Sequence, residues 1–126
     1  MQFSYFVGVD ISKDTLDAAL YPAKDRQKDF LHFDNTKKGL GEMMAWLKTL
    51  GVKRSDLLIC AEYTGVYTNT LIEFADRKGI ALSLNSPLDI KRSIGLVRGK
   101  NDAVDAARIA EFAYRRRENL RLYEKP

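Results

Sequence analysis

The run Leu57-Leu58-Ile59-Cys60-Ala61, five apolar residues in succession with a carboxylate, Glu62, directly behind them, limits the possible folds more than any other stretch of this chain. A strand with one wet face alternates apolar and polar residues. A continuous short run instead marks a strand covered on both faces, as in a sheet held between helices. Helical patterns flank the run. Before it, Leu40, Met43, Met44, Leu47 and Leu50 recur at helical spacing, with Asn35 or Thr36 placed to cap the helix and Gly51 to end it. After it, Thr68 to Lys78 carries Leu71, Ile72, Phe74 and Ala75 on one side with Gly79 behind, and leads into a strand over Ile80 to Leu84. Residues 57–84 therefore read as a βαβ unit.

The remaining segments complete the order. Phe3 to Asp10 and Thr15 to Tyr21 are rich in β-branched, aromatic or alternating residues around the polar turn Ser12-Lys13-Asp14, which predicts a β-hairpin. A third strand is expected over Lys28 to Asp34, and three strands joined by short connections are most simply antiparallel. Pro87 opens a short helical piece ending near Leu96, Gly95 and Gly99 mark a loop, and Asn101 caps a helix from Asp102 to about Arg117. The order β-β-β-α-β-α-β-α predicts an α/β domain of the ribonuclease H-like type, a mixed five-stranded sheet with helices on both faces. Fold alone does not fix function.

Composition narrows the classes. With 126 residues, 45% of them hydrophobic, the chain has the size and apolar content of one domain with one core. Its apolar stretches fall far short of the roughly 20 residues that span a bilayer, and no basic segment followed by an apolar run opens it. A cytoplasmic protein without a membrane partner is expected. The single cysteine, Cys60, builds neither a disulfide framework nor a cysteine metal cage, and its place in the apolar run predicts a buried small hydrophobe. The net charge of +4 is unevenly spread: residues 91–126 hold 10 basic and 5 acidic residues, whereas 1–90 hold 11 and 12. Lys91, Arg92, Arg98, Lys100, Arg115, Arg116 and Arg117 suit phosphate contacts, because each neutralised phosphate releases counterions. A solvated helix face is the plainer reading of the same charges.

The acids decide between these. Asp10 ends the first strand and Glu62 the fourth, so in a sheet with the first strand central both emerge at the same edge. The helix from Asp102 adds Asp102 and Asp105, three residues apart and hence on one side. Hard divalent cations such as Mg²⁺ or Mn²⁺ take oxygen ligands, and a pair of them about 4 Å apart activates a nucleophile and steadies a leaving oxygen in phosphodiester cleavage. Taken singly, each acid has a duller use. Asp102 suits the helix dipole, Asp105 suits a pairing with Arg108 or Arg98, and Asp10 suits the turn before Thr15.

Three stretches, Val7-Gly8-Val9-Asp10-Ile11-Ser12-Lys13-Asp14-Thr15-Leu16-Asp17, Glu62-Tyr63-Thr64-Gly65-Val66-Tyr67 and Lys100-Asn101-Asp102-Ala103-Val104-Asp105-Ala106, resemble in order and separation those of the DEDD transposases and Piv-type DNA invertases. These are insertion-sequence recombinases with a RuvC-like N-terminal domain. The resemblance implies that Asp10, Glu62, Asp102 and Asp105 coordinate Mg²⁺ or Mn²⁺ and act on phosphodiester bonds in DNA transposition or inversion. It further implies DNA as partner, a guide noncoding RNA, and a homo-oligomer as the working assembly of the full-length protein. Asn101 stands where many relatives have Thr, and either caps a helix. Full-size members continue into a C-terminal domain carrying a serine implicated in strand exchange, so residues 1–126 are expected to be the catalytic domain with that domain absent.

Two other functions compete. An actin-like phosphotransferase needs glycine where its loop approaches phosphate, and Ile11-Ser12-Lys13 supplies none. A non-catalytic nucleic-acid-binding fragment with vestigial acids differs in being indifferent to metal. His32 reads as an exposed strand residue, since nothing near it in sequence offers a partner, and Trp46 as core. Thr64, Gly65 and Tyr67 suit either a phosphate contact or, more simply, a loop that caps the second helix, with Gly65 as a turn residue.

Overall fold

The computed structural model describes residues 3–23, 29–86 and 102–124, with the side chains of 102–104 outside that set. The expected short helical piece after Pro87, the Asn101 cap, Lys91, Arg92, Arg98 and Lys100 lie outside the described residues. Five strands, β1 (Tyr5–Ile11), β2 (Thr15–Tyr21), β3 (Phe30–Asp34), β4 (Leu57–Glu62) and β5 (Ala81–Asn85), form one sheet in the order β3-β2-β1-β4-β5. The hairpin partners β1 and β2, and then β2 and β3, pair antiparallel; β4 joins β1 and β5 joins β4 in parallel. The mixed sheet expected from the sequence is thus present, with β1 at its centre.

Helices α1 (Lys37–Thr49) and α2 (Asn69–Lys78) cover one face and α3 (Asp102–Arg115) the other. Thr36 caps α1, its hydroxyl accepting from the Gly39 amide at 2.9 Å. Gly51 at φ 77° and Gly79 at φ 66° take the left-handed turns that end α1 and α2. The larger core joins Val7, Val9, Ile11, Leu57, Ile59 and Ala61 to Leu40, Met43 and Leu47 of α1 and Leu71 and Phe74 of α2. Trp46 belongs to it, 5.8 Å from Phe33 between ring centroids. The smaller core joins Phe6, Leu58 and Cys60 to Ile109, Phe112 and Ala113 of α3. Every residue of Leu57 to Ala61 is buried, because each of its two faces meets a helix layer. The helix after Asp102, expected to run to about Arg117, ends at Arg115 and gives way to a turn over 116–119.

Gly8 sets how closely α3 sits. A Cβ there would overlap the Ala106 carbonyl oxygen and the Ala110 amide nitrogen and lie 3.0 Å from Ala110 Cα, so helix backbone rests directly on strand backbone. The contacts also fix its direction. The C-terminal half of α3 lies over the start of β1, with Tyr114 edge-on to Phe6 at 5.7 Å. Ala106 lies over Gly8, so the helix runs antiparallel to β1 and its N-terminus points toward the end of β1 that carries Asp10.

Candidate active site

Strand register gathers the polar groups into a line. Asp10 is level with Asp17 on β2, Asp17 with His32 on β3, and Glu62 with Asn85 on β5. The β1–β4 register runs to the Val9 and Ala61 pair, and carried one residue further it sets Asp10 beside Glu62. Partners directly opposite share a face, and this is the face of Gly8 and Cys60, beneath α3. His32, Asp17, Asp10, Glu62 and Asn85 therefore form one row across all five strands, successive members about 4.8 Å apart along the sheet. Asp10 and Glu62 are each half-buried. Three carboxylates side by side on neighbouring strands repel one another, and His32 offsets the charge of the one on β2, Asp17.

The row's rim is laced by short bonds. Ser12 closes the β1–β2 turn, its hydroxyl 3.0 Å from the Thr15 carbonyl oxygen. Asn35 Nδ2 donates to the carbonyls of Ser12 at 3.0 Å and Tyr67 at 2.9 Å, tying the turn after β1 to the loop after β4. That loop is held by Gly65 at φ 74° and by the Thr64 amide donating to Thr68 Oγ1 at 2.9 Å. Gly65 is the turn residue expected of it, but no side chain of the loop caps α2: a single 3-10 turn, Gly65–Thr68, leads into the helix. The loop also displays Tyr63, Val66 and Tyr67, which are 53%, 69% and 43% exposed, immediately beside Glu62.

Cys60 is fully buried, and its thiol is pushed up from 9.0 to about 12. Burial is the main cause, Asn85 lowers it through a 3.4 Å contact from Nδ2 to Sγ, and the charge of Glu62 raises it. The Glu62 charge thus acts along the α3 face of β4.

Asp105 is half-buried near the start of α3, one residue before Ala106. Among the described residues it makes no ion pair with Arg108, whose Nε is buried without a hydrogen-bond partner. The helix begins at Asp102. The structure thus brings Asp10, Glu62 and the N-terminal turn of α3 to one edge. Among the described residues no group of three His, Cys, Asp or Glu side chains is close enough to hold a metal ion, and Asp102's side chain lies outside that set. The donors in view are half-buried carboxylate oxygens, a set that fits a hard divalent cation.

Arg115, Arg116 and Arg117 are not brought to this edge. Arg115 ends α3, about 15 Å along the axis from Asp105 at 1.5 Å per residue, and Arg116 and Arg117 follow in the turn after it. Arg115 pairs with Glu111 at 2.8 Å, and the Arg117 guanidinium stacks 4.1 Å from the Tyr114 ring centroid. His32 is exposed, as its sequence suggested, yet it has a partner. Its Nδ1 is 2.7 Å from Oδ1 of Asp17, which is only 7% exposed at the side chain. Sequence proximity hid this pair because it forms across strands 15 residues apart; the signal available was alternation, which puts Asp17 and His32 on the α3 faces of β2 and β3.

The sheet order, the helices on both faces and the carboxylates at the C-terminal ends of two adjacent parallel strands define a ribonuclease H-like domain of the RuvC type. Two solved structures bear this out at the level of fold. T. thermophilus RuvC in complex with Holliday junction substrate is similar with a TM-score of 0.62 and 12% identity over 94% of this chain and 99% of that one. A second Thermus thermophilus RuvC structure is similar with a TM-score of 0.55 and 11% identity over the same shares. The family model of the IS110-type DEDD transposases matches residues 7–126, and the chain belongs to that transposase family. Among curated proteins no sequence matches it. No helix of the described residues is long and apolar enough to cross a membrane.

Proposed function

We propose that this chain is the catalytic domain of a DNA transposase, in which Asp10, Glu62, Asp102 and Asp105 hold Mg²⁺ or Mn²⁺ and the bound DNA is cut at the edge where they meet. The observation that carries the reading is the parallel pairing of β1 and β4 as far as Val9 and Ala61, after which Asp10 and Glu62 are the next residues on the adjacent strands, with α3 running its N-terminus toward them. Membership of the transposase family and the RuvC-like fold support a DNA-cleaving role. When bound, the metal would supply charge to activate water and stabilise the leaving oxygen.

The chain's own part is positional. The two strands hold Asp10 and Glu62 at a fixed separation, Gly8 lets α3 approach closely enough to add its acids, and the Asn35 bonds keep the flanking loops from shifting. Tyr63 and Tyr67, exposed on the loop after Glu62, would stack on unpaired bases next to the scissile phosphate. Lys91, Arg92, Arg98 and Lys100 would contact the backbone on the approach from β5 to α3, and Arg115, Arg116 and Arg117 would reach DNA that continues along the helix. In the full-length protein a guide noncoding RNA and further copies of the chain would complete the assembly.

The test is nicking of supercoiled and branched DNA in Mn²⁺. The parent should nick, EDTA should abolish it, and Asp10→Asn and Glu62→Gln should each lower the rate by at least about 100-fold, the upper end of what loss of a mere outer-shell partner costs. Variants that cut as fast as the parent would show that the acids are vestigial and that the chain only holds nucleic acid.

A further inference from the structure

On the opposite side of the sheet from the carboxylate row, α1 and α2 leave an open groove of about 520 Å³ floored by Met44, Phe74 and Ile80. Four cations from three segments ring it: Lys37 and Lys38 from the first turn of α1, Arg54 from the turn before β4, and Lys78 from the last turn of α2. All four are exposed, and among the described residues none makes an ion pair. No acidic side chain among the described residues lines the groove. Residues 1–90 are nearly neutral overall, so this is a local concentration and not a spill-over of net charge.

The placement of Lys37 and Lys38 is unfavourable for the helix itself. A helix N-terminus carries partial positive charge and is stabilised by acids, yet the first turn of α1 has no acid and two lysines. An anion between them would satisfy both the lysines and the helix end.

We propose that this groove is a second nucleic-acid site, which grips the sugar-phosphate backbone of a segment distinct from the one at the carboxylate row. The proposal rests on the transposase reading for its choice of partner, because charge complementarity alone also admits an acidic peptide. The domain would then hold one nucleic-acid segment on each face of its sheet, the groove binding without metal and without reading sequence.

The experiment measures affinity of the 126-residue chain for a short labelled DNA duplex across a potassium chloride series in EDTA, with Lys37, Lys38, Arg54 and Lys78 changed together to Ala. Each phosphate that the variant no longer neutralises lowers the slope of log affinity against log salt by about 0.9, so the slope should fall by up to about 3.6. The variant should melt close to the parent, since losing Lys78 from the last turn of α2 offsets the relief at the first turn of α1; Asp10→Asn should leave the slope unchanged. An unaltered slope in a folded variant would overturn the proposal. So would a poly-glutamate peptide that binds the parent more tightly than DNA and loses that binding in the variant, because the groove would then serve an acidic protein. Neither result touches the metal reading, which fails separately if Asp10→Asn leaves Mn²⁺-dependent nicking intact.

Discussion

Replacing Gly8 by Ala tests whether α3 is seated on the sheet for the sake of the carboxylates. The new methyl would overlap the Ala106 carbonyl oxygen and the Ala110 amide nitrogen, both backbone atoms, whereas ordinary contact begins at 3.4 Å. No side-chain rotation relieves that overlap, so the helix must lift. Overpacking of this kind costs about 1 to 3 kcal/mol. For a domain of this size each kcal/mol shifts the melting temperature by about 3 to 5 °C, so the variant should melt about 3 to 15 °C lower. Function should suffer out of proportion, because a misplacement of about 1 Å costs on the order of 100-fold in rate, and the lift moves Asp105 relative to Asp10. Gly41 on α1 is the control: a Cβ there meets nothing within 4 Å, and Ala should stabilise the helix by about 0.5 to 1 kcal/mol. Differential scanning calorimetry with parallel Mn²⁺-dependent nicking reads both. A Gly8→Ala protein that melts with the parent and cuts at the same rate would show that the close seating of α3 serves neither stability nor the site.

Cys60 predicts an alkaline weakness. Its folded thiol stays protonated to about pH 12, while the unfolded thiol ionises near 9.0, so between these values the unfolded chain binds fewer protons and stability falls as pH rises, by about 1.4 kcal/mol per unit. Below pH 9 the effect is absent; Cys60→Ala should remove the extra slope in urea melts between pH 9 and 11. Changing Tyr63 and Tyr67 to Ala should weaken single-stranded DNA binding by about 1 to 3 kcal/mol for each base that stacks, with Phe at either position retaining it in an anisotropy titration. Changing Arg115, Arg116 and Arg117 to Ala should flatten the salt dependence of DNA binding by about 0.9 for each phosphate contacted, and an unchanged slope would reject the far end of α3 as a nucleic-acid surface.

Much of the architecture was legible because the signals were local. The unbroken apolar run of β4 required cover on both faces, and α1 and α2 announced themselves through spacing and the glycines at 51 and 79, while the choice of Thr36 over Asn35 as the cap of α1 needed the structure. Glu62 was legible for the same local reason, ending the apolar run of β4, and Asp10 nearly so, since β1 runs one residue beyond it to Ile11. What was hidden depended on register. Asp17 lies level with Asp10, and His32 with Asp17, only once β2 and β3 are paired in a particular alignment, and no sequence window contains that alignment. Gly8 stood inside a recognised motif, yet its physical reason, close approach of a helix nearly 100 residues later, needed the tertiary contact; an isolated glycine inside a strand was the available hint. The basic groove combines residues from three segments whose charges, counted along the chain, average away.

Whether the edge shared by β1, β4 and α3 is a divalent-metal site can be read from thermal melts of the parent, Asp10→Asn and Asp102→Asn in EDTA and in Mn²⁺ at matched ionic strength. Binding to the folded chain alone stabilises it by roughly 2.7 kcal/mol at 100 times the dissociation constant. The parent should therefore melt about 8 to 13 °C higher in Mn²⁺. Removing one repelling carboxylate should make each variant more stable than the parent in EDTA and shrink its response to metal. A parent indifferent to Mn²⁺, with both Asn variants melting slightly lower in EDTA, would mean that no metal is held at this edge and leave Asp102 as a partner of the helix dipole alone.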